Sequence, residues 1–386
     1  MTMELLSANH AAALAATLAA RANRTARGFG SGVYPITPQT ECIELLCNQE
    51  IAKGHVVRVE SEHSAMGVCM GFALAGARTF TASSSNGLAY MNENVFAAGF
   101  YRLPIVMMAV NRTLGPPWNI WVDHGDTLSL RDAGWIQFYC EDNQEVADTI
   151  LAAYRLAEDR RVLLPAMVCQ DAFILSHTMM MTDLPEQAVV DAFLPPLDLP
   201  HRVTDRPITV GGLDSPHETE AHRAQQERAM GAVFAAYGEV QVEFEKAFGR
   251  KLADPVVGYR ADDADVLIVS MGTIAATVRK VVDEARAKGV RAGSLRVRLF
   301  RPFPEAALRK ALAGKARIAV IDRNLSPGMG GIVWGEMRGL ADAGSIIQDY
   351  IAGIGGGDVR QQHVQWILDD LLARSSAGAP KFVEVG

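Results

Sequence analysis

The chain has 386 residues, of which 49% are hydrophobic and 21% charged, with a formal net charge of −7. That balance belongs to a globular protein of about two or three domains with sizeable cores. It excludes the basic footprint of a nucleic-acid-binding surface, and no apolar run nears the roughly 18 residues of a membrane span. The apolar N-terminus carries Glu4 and lacks a basic start, which argues against a signal peptide. Cys42, Cys47, Cys69, Cys140 and Cys169 show no CxxC spacing. Buried free thiols in a reducing, cytoplasmic compartment are therefore expected, with no metal or iron–sulfur site in this chain.

In chain order, the opening segment reads as a helix capped at Ser7 or Asn9 and ending near Asn23. A basic, glycine-bearing stretch leads to Tyr34-Pro35-Ile36-Thr37-Pro38-Gln39-Thr40-Glu41, where two prolines forbid a regular helix and fix an extended turn. Residues 41–53 carry helical periodicity, and 56–59 form a β-prone run that ends at Glu60 and Glu62. A small-residue helical run, 64–77, follows, then a strand, 78–82, that breaks at Ser83-Ser84-Ser85-Asn86-Gly87 into another helix. Glu62 thus stands where a strand hands over to a helix, a favoured place for a reactive group in α/β proteins. The helix dipole by itself lowers its pKa. The bland alternative is an acidic residue that stabilises a helix start by up to about 1 kcal/mol.

Residues 103–110 form a near-continuous apolar run, as in a central parallel strand. The long loop after it, 111–132, holds Pro116-Pro117-Trp118 and Asp123-His124-Gly125-Asp126, and long ordered loops after core strands are often functional. His124 has no second histidine at ligand spacing, so a plain loop histidine is favoured over a metal ligand. A helix at 144–157 and a strand at 162–168 lead into an extended connection, 183–207, and a long charged helix, 217–249. A second α/β unit has strands at 264–271, 290–299 and 316–321 and helices at 274–288, 304–312 and 361–373. The alternation predicts an α/β protein with a doubly wound parallel sheet. No GxGxxG follows a strand, and no Walker sequence or GxSxG elbow is present. Gly355-Gly356-Gly357-Asp358 reads as a loop before the last helix.

The segments YPITPQTE, ESEHSAMG, FTASSSNGLAYMNE, LPIVMMAVNR, NIWVDHGD and ILSHT, in this order, resemble the α subunit of the 2-oxoacid:ferredoxin oxidoreductases, that is, pyruvate:ferredoxin oxidoreductase and its relatives. The resemblance implies a pyrimidine-binding, thiamine-diphosphate domain at 1–195, a linker with the long charged helix at 196–255, and a transketolase C-terminal-like domain at 256–386. It also implies the cofactor, whose thiazolium C2 proton must be removed. A carboxylate on N1′ of the aminopyrimidine favours the tautomer whose nitrogen accepts that proton. This role falls to Glu62, with Glu60 the weaker candidate. Thr37 and Arg112 would bind the substrate carboxylate, arginine being suited by its planar, permanently charged fork. Tyr34 and Ile36 would shape the pocket, and Pro35, Ser85 and Asn86 would line the cofactor.

The family's GDG…N signature for Mg2+ and diphosphate is missing, which implies a β subunit that carries it and an active site shared between chains. A γ-type subunit and a ferredoxin-like subunit with 4Fe–4S clusters are implied as well, in a hetero-oligomer of anaerobic metabolism. Coenzyme A is the co-substrate, and ferredoxin or NAD the final acceptor. The chain alone is expected to be inactive. The bulky loop 113–121 and Met179-Met180-Met181 suggest an aryl 2-oxo acid such as phenylglyoxylate, with pyruvate the main competitor. The segment Gly355-Gly356-Gly357-Asp358 departs from the family, which often carries an arginine there. Two rivals remain open: the dehydrogenase component of a lipoyl-dependent complex and a non-catalytic scaffold subunit.

Overall fold

The structure is a computed structural model that describes residues 2–384. A seven-stranded sheet runs, edge to edge, Leu299–Arg301, Ile136–Tyr139, Ala166–Asp171, Ile105–Asn111, Arg78–Ser83, Phe29–Val33 and Gly54–Arg58. All neighbours are parallel except Leu299–Arg301, which pairs antiparallel with Ile136–Tyr139. Every residue of Ile105–Asn111 is buried, because helices cover both faces of a parallel sheet. Parallel pairing also puts Val33, Ser83, Asn111 and Asp171 on one edge of the sheet.

Between Phe29–Val33 and Arg78–Ser83 the strand order reverses, the place where such sheets open a crevice. Only Phe29↔Arg78 and Gly30↔Thr79 pair there. Beyond them side chains replace the ladder. The Ser31 hydroxyl donates to the Phe80 carbonyl at 2.7 Å and the Thr81 hydroxyl to the Gly32 carbonyl at 2.8 Å. The Gly32 N–H donates to Cys69 Sγ at 3.2 Å. Cys69 belongs to the helix Glu62–Ala75, which lies flat on this split. A Cβ at Gly32 would stand 2.2 Å from the Ala65 carbonyl oxygen, so only glycine admits that approach.

A second sheet of six strands runs Lys381–Phe382, Ile346–Ile351, Arg317–Asp322, Val266–Ser270, Ala292–Val297 and Val256–Tyr259, parallel but for the last. A small antiparallel ribbon joins Thr2–Leu6 to Met180–Leu184.

Several elements differ from the sequence expectation. A strand, Thr2–Leu6, precedes the first helix, Ala8–Ala22, whose cap is Ser7. The helix expected at 41–53 is Thr40–Cys47, and the one expected at 64–77 starts at Glu62 because Ser61 caps it. The connection 183–207 contains the end of a strand and the helix Gln187–Phe193. The run 290–299 is two strands: Ala292–Val297 stays in the second sheet, and Leu299–Arg301 crosses to the first. Arg298 at the crossing is fully buried, and Glu145 receives its Nε at 2.6 Å and Arg296 Nη1 at 2.8 Å. Charge pairing thus ties the two sheets where the chain passes between them.

A second buried tie lies at the strand ends. The Asp171 carboxylate meets His124 Nε2 at 2.8 Å, Arg323 Nη1 at 3.0 Å, the Thr273 N–H at 3.2 Å and the Thr273 hydroxyl. Burial pushes the Asp171 carboxyl up, but the charges of His124 and Arg323 outweigh it and hold the group well below the usual carboxylate range. A depressed carboxyl contributes stability that is present above the unfolded-state pKa of about 4 and is lost as pH falls further. Asp171→Asn is expected to destabilise the chain by roughly 3–5 kcal/mol near pH 7, with the gap to wild type narrowing below about pH 4. Thermal melts across pH check this, and a gap that stays constant into acid contradicts it.

Candidate active site

The strand-end cleft of the first sheet is built from three segments. The first is the turn after Phe29–Val33. Its anchor is the fully buried Asn9, whose Nδ2 donates to the Pro38 carbonyl at 2.7 Å and to Glu41 Oε2 at 2.9 Å. Asn9 is therefore no helix cap but the peg of the proline turn. Tyr34 and Ile36 are half-buried here, while Pro35 and Thr37 are exposed.

The second segment is the start of Glu62–Ala75. The Ser64 hydroxyl donates to Glu60 at 2.5 Å and Glu60 stays in solvent, whereas Glu62 is only 6% exposed. The Glu62 side chain lies across Gly87: a Cβ there would stand 2.7 Å from Glu62 Oε1 and 2.6 Å from Ser83 Oγ. The buried Ser83 hydroxyl has no hydrogen-bond partner among the described residues. Among the described residues no other residue hydrogen-bonds to the Glu62 carboxyl. Burial raises its pKa, with only its own backbone N–H pulling the other way. Desolvation thus outweighs the helix dipole, reversing the direction expected from the dipole alone.

The third segment follows Ile105–Asn111. Arg112 is buried, and its Nη1 donates to the Thr37 carbonyl at 2.7 Å and its Nε to the Asn119 carbonyl at 3.0 Å. Residues 75 positions apart in sequence are thereby brought together. Arg112 makes no ion pair with a carboxylate side chain within contact distance among the described residues, and its guanidinium hydrogen-bonds there to two carbonyls. Burial lowers its pKa, and the Asp126 charge opposes that. Ser85 and Asn86 hold the loop that begins here. Ser85 Oγ donates to the Thr113 carbonyl at 2.5 Å, and the Asn86 amide exchanges two bonds with Gly115 at 3.0 and 2.9 Å.

Two features escaped the sequence. His124 stands in the loop as expected, but the sequence did not show that it is buried in the Asp171 tie. Asp126 is fully buried, although only its place in the Asp-His-Gly-Asp run distinguished it. The glycine cluster near the C-terminus covers the loop: Asn119 Nδ2 donates to the Gly355 carbonyl at 3.0 Å, and Trp121 packs on Gly356. Trp118, Ile120 and Trp121 expose apolar surface beside the cleft, whereas Met180 and Met181 stand on the edge ribbon.

A buried carboxyl that accepts no bond from another residue, at a sheet's switch point, fits the ring nitrogen of an aminopyrimidine. Residues 28–241 match the thiamine-diphosphate-binding model of pyruvate flavodoxin/ferredoxin oxidoreductase, and residues 264–364 match core domain II of pyruvate:ferredoxin oxidoreductase. The chain belongs to the pyruvate:ferredoxin oxidoreductase family. It is an oxidoreductase component, a subunit of a 2-oxoacid:ferredoxin oxidoreductase that acts with partner subunits.

Among family members, pyruvate synthase subunit PorA of Methanocaldococcus jannaschii is 43% identical over 344 residues, covering 87% of this chain and 88% of its own. Ketoisovalerate oxidoreductase subunit VorA of Pyrococcus horikoshii is 42% identical over 377 residues, covering 95% and 93%. A 2-oxoglutarate:ferredoxin oxidoreductase from Magnetococcus marinus, solved with 2-oxoglutarate, coenzyme A and succinyl-CoA bound, shares the fold at a TM-score of 0.75 and 18% identity. The match covers 96% of this chain and spans 65% of that longer one. A transketolase from Campylobacter jejuni shares it at 0.53 and 12% identity, over 95% of this chain and 45% of its own. These two establish the thiamine-diphosphate-type fold alone.

Gly87→Ala drives a methyl group into Glu62 Oε1 and Ser83 Oγ. In the assembled oxidoreductase it is expected to lower turnover on the order of 10²-fold, the scale of an ångström-sized misplacement. Steady-state kinetics check this, and wild-type turnover contradicts it.

Proposed function

We propose that this chain is the α subunit of a thiamine-diphosphate-dependent oxidoreductase that decarboxylates a 2-oxo acid oxidatively to acyl-CoA and CO2. The observation that carries it is Glu62, a buried carboxyl of raised pKa that accepts no bond from another described residue, on the same strand-end edge as Arg112, which has no contacting carboxylate side chain among the described residues. Thiamine diphosphate, when bound, supplies the nucleophilic carbon for the 2-oxo group and the sink for the electron pair left by decarboxylation. Glu62 holds a proton shared with N1′ of the aminopyrimidine, and the burial that raises its proton affinity suits it to that task. Arg112 and Thr37 hold the substrate carboxylate, and the guanidinium pays little desolvation there because it is already buried. Tyr34 and Ile36 wall the substrate side. Pro35 packs toward the cofactor, and Ser85 and Asn86 line it while fixing the 113–121 loop.

The proposed division of the chain is 1–195 for the pyrimidine domain, 196–255 for the linker with the long helix, and 256–386 for the transketolase C-terminal-like domain. The second region also lends Leu299–Arg301 to the first sheet. The proposed partners are a β subunit holding the diphosphate and Mg2+, a γ-type subunit, and a ferredoxin-like subunit with 4Fe–4S clusters. Coenzyme A is the co-substrate, and ferredoxin or NAD takes the electrons. No helix among the described residues is long and apolar enough to cross a membrane, and we place the complex in the cytoplasm.

For the substrate, similarity to pyruvate synthase and ketoisovalerate oxidoreductase subunits favours an aliphatic 2-oxo acid such as pyruvate. Trp118 and Trp121 beside the cleft favour a second reading, an aryl acid such as phenylglyoxylate.

In the assembled complex, Glu62→Gln is expected to reduce turnover roughly 10²–10⁴-fold, the range of general acid–base assistance. Anaerobic, coenzyme-A-dependent viologen reduction across pyruvate, 2-oxoglutarate, indolepyruvate and phenylglyoxylate measures this and names the substrate. Undiminished turnover in the glutamine variant contradicts the catalytic role and favours a scaffold. Equal turnover of pyruvate and phenylglyoxylate removes the case for an aryl pocket.

A further inference from the structure

The carboxylate of Asp126 is fully buried and accepts four hydrogen bonds. Its Oδ2 takes the N–H of Ser85 at 3.0 Å and the N–H of Arg112 at 2.9 Å. Its Oδ1 takes Asn111 Nδ2 at 2.8 Å and the Thr127 N–H at 2.7 Å. Ser85 and Arg112 follow two neighbouring strands whose pairing runs out at Ser83↔Ala109. Past that rung the backbones diverge, and the Ser84 hydroxyl donates to the Val110 carbonyl at 2.7 Å. Ser85 adopts φ +51°, a left-handed conformation that non-glycine residues rarely hold without support. One carboxylate oxygen therefore does the work of the missing ladder for both diverging strands at once.

We infer that Asp126 is a positioning residue that sets Arg112 and Ser85 at the cleft and thereby tunes affinity for the 2-oxo acid. Asp126 presents nothing to a substrate, since it is buried and both oxygens are occupied by protein donors. Its own place is fixed from the second domain: the His124 N–H donates to the Arg323 carbonyl at 2.9 Å, and the helix Gly125–Leu128 begins immediately after. Burial pushes its pKa up to about 7 against the pull of those four donors. Neutral asparagine at this position keeps the shape but turns an NH2 group toward two of the four donors. Either the Ser85 and Arg112 amides or the Asn111 and Thr127 donors then lose their acceptor.

This role presupposes that Arg112 holds the substrate carboxylate, so the test separates the two. Asp126→Asn, Arg112→Gln and the double variant are compared in the assembled oxidoreductase, with KM and kcat read for its 2-oxo acid. Asp126→Asn is expected to raise KM at least tenfold, with kcat within about threefold of wild type and almost no further effect of Asp126→Asn when Arg112 is glutamine. If Arg112→Gln leaves KM unchanged, the clamp itself is wrong and the positioning role falls with it. If Arg112→Gln raises KM but Asp126→Asn does not, or the two effects multiply independently, Asp126 is a structural carboxylate only. Should Asp126→Asn fail to assemble, Asn111→Ser, which removes a single donor from the other oxygen, takes its place. A several-fold rise in KM at retained kcat then supports the role, and an unchanged KM overturns it.

Discussion

Two parallel strands that separate after their first rungs set the terms for this protein. Past Gly30 and Thr79 the backbones of Phe29–Val33 and Arg78–Ser83 no longer pair, and buried backbone polar groups must find other partners. Ser31, Thr81 and Cys69 satisfy those groups from the side, which lets the helix carrying Glu62 settle on the opening. The split is stable because those side chains close the hydrogen-bond account, and it is useful because it leaves a crevice at a helix start.

Three buried carboxyls around this edge meet the same desolvation penalty in three ways. Asp171 is compensated by ionic partners and holds its proton weakly, tying the two sheets. Asp126 is compensated by four neutral donors and fixes backbone. Glu62 is left without a bond from any other residue among those described, and burial raises its pKa. An uncompensated buried carboxyl is costly in a folded chain, and a ligand nitrogen that shares its proton removes that cost. Glu62 differs from the other two in having no donor from another described residue, which is the basis of the role proposed for it.

Much of this was legible in the sequence where a signal is local. The all-buried strand Ile105–Asn111 shows as an apolar run, and the helix Gln361–Ala373 shows in its periodicity. Glu62, Thr37 and Arg112 stand in segments whose resemblance to a family is specific. What escaped depends on distant partners. The apolar run at 290–299 says nothing of a strand that changes sheets, because the reason is the meeting of Arg298 with Glu145, 153 residues away. Ile136–Tyr139 is four residues long and carries Gln137, too short and too polar to declare itself. Asp126 looked like one acidic loop residue among several, since its donors come from Ser85 and Arg112 on other segments. Asn9 looked like a cap for the same reason.

The central claim is that this chain holds the pyrimidine end of thiamine diphosphate and a partner subunit holds the other. Calorimetric titration of thiamine diphosphate with Mg2+ into the purified chain, into its β partner and into their mixture tests it directly. The account predicts tight binding only for the mixture, weakened when Glu62 is replaced by glutamine. Tight binding by this chain alone, unaffected by that replacement, would contradict it.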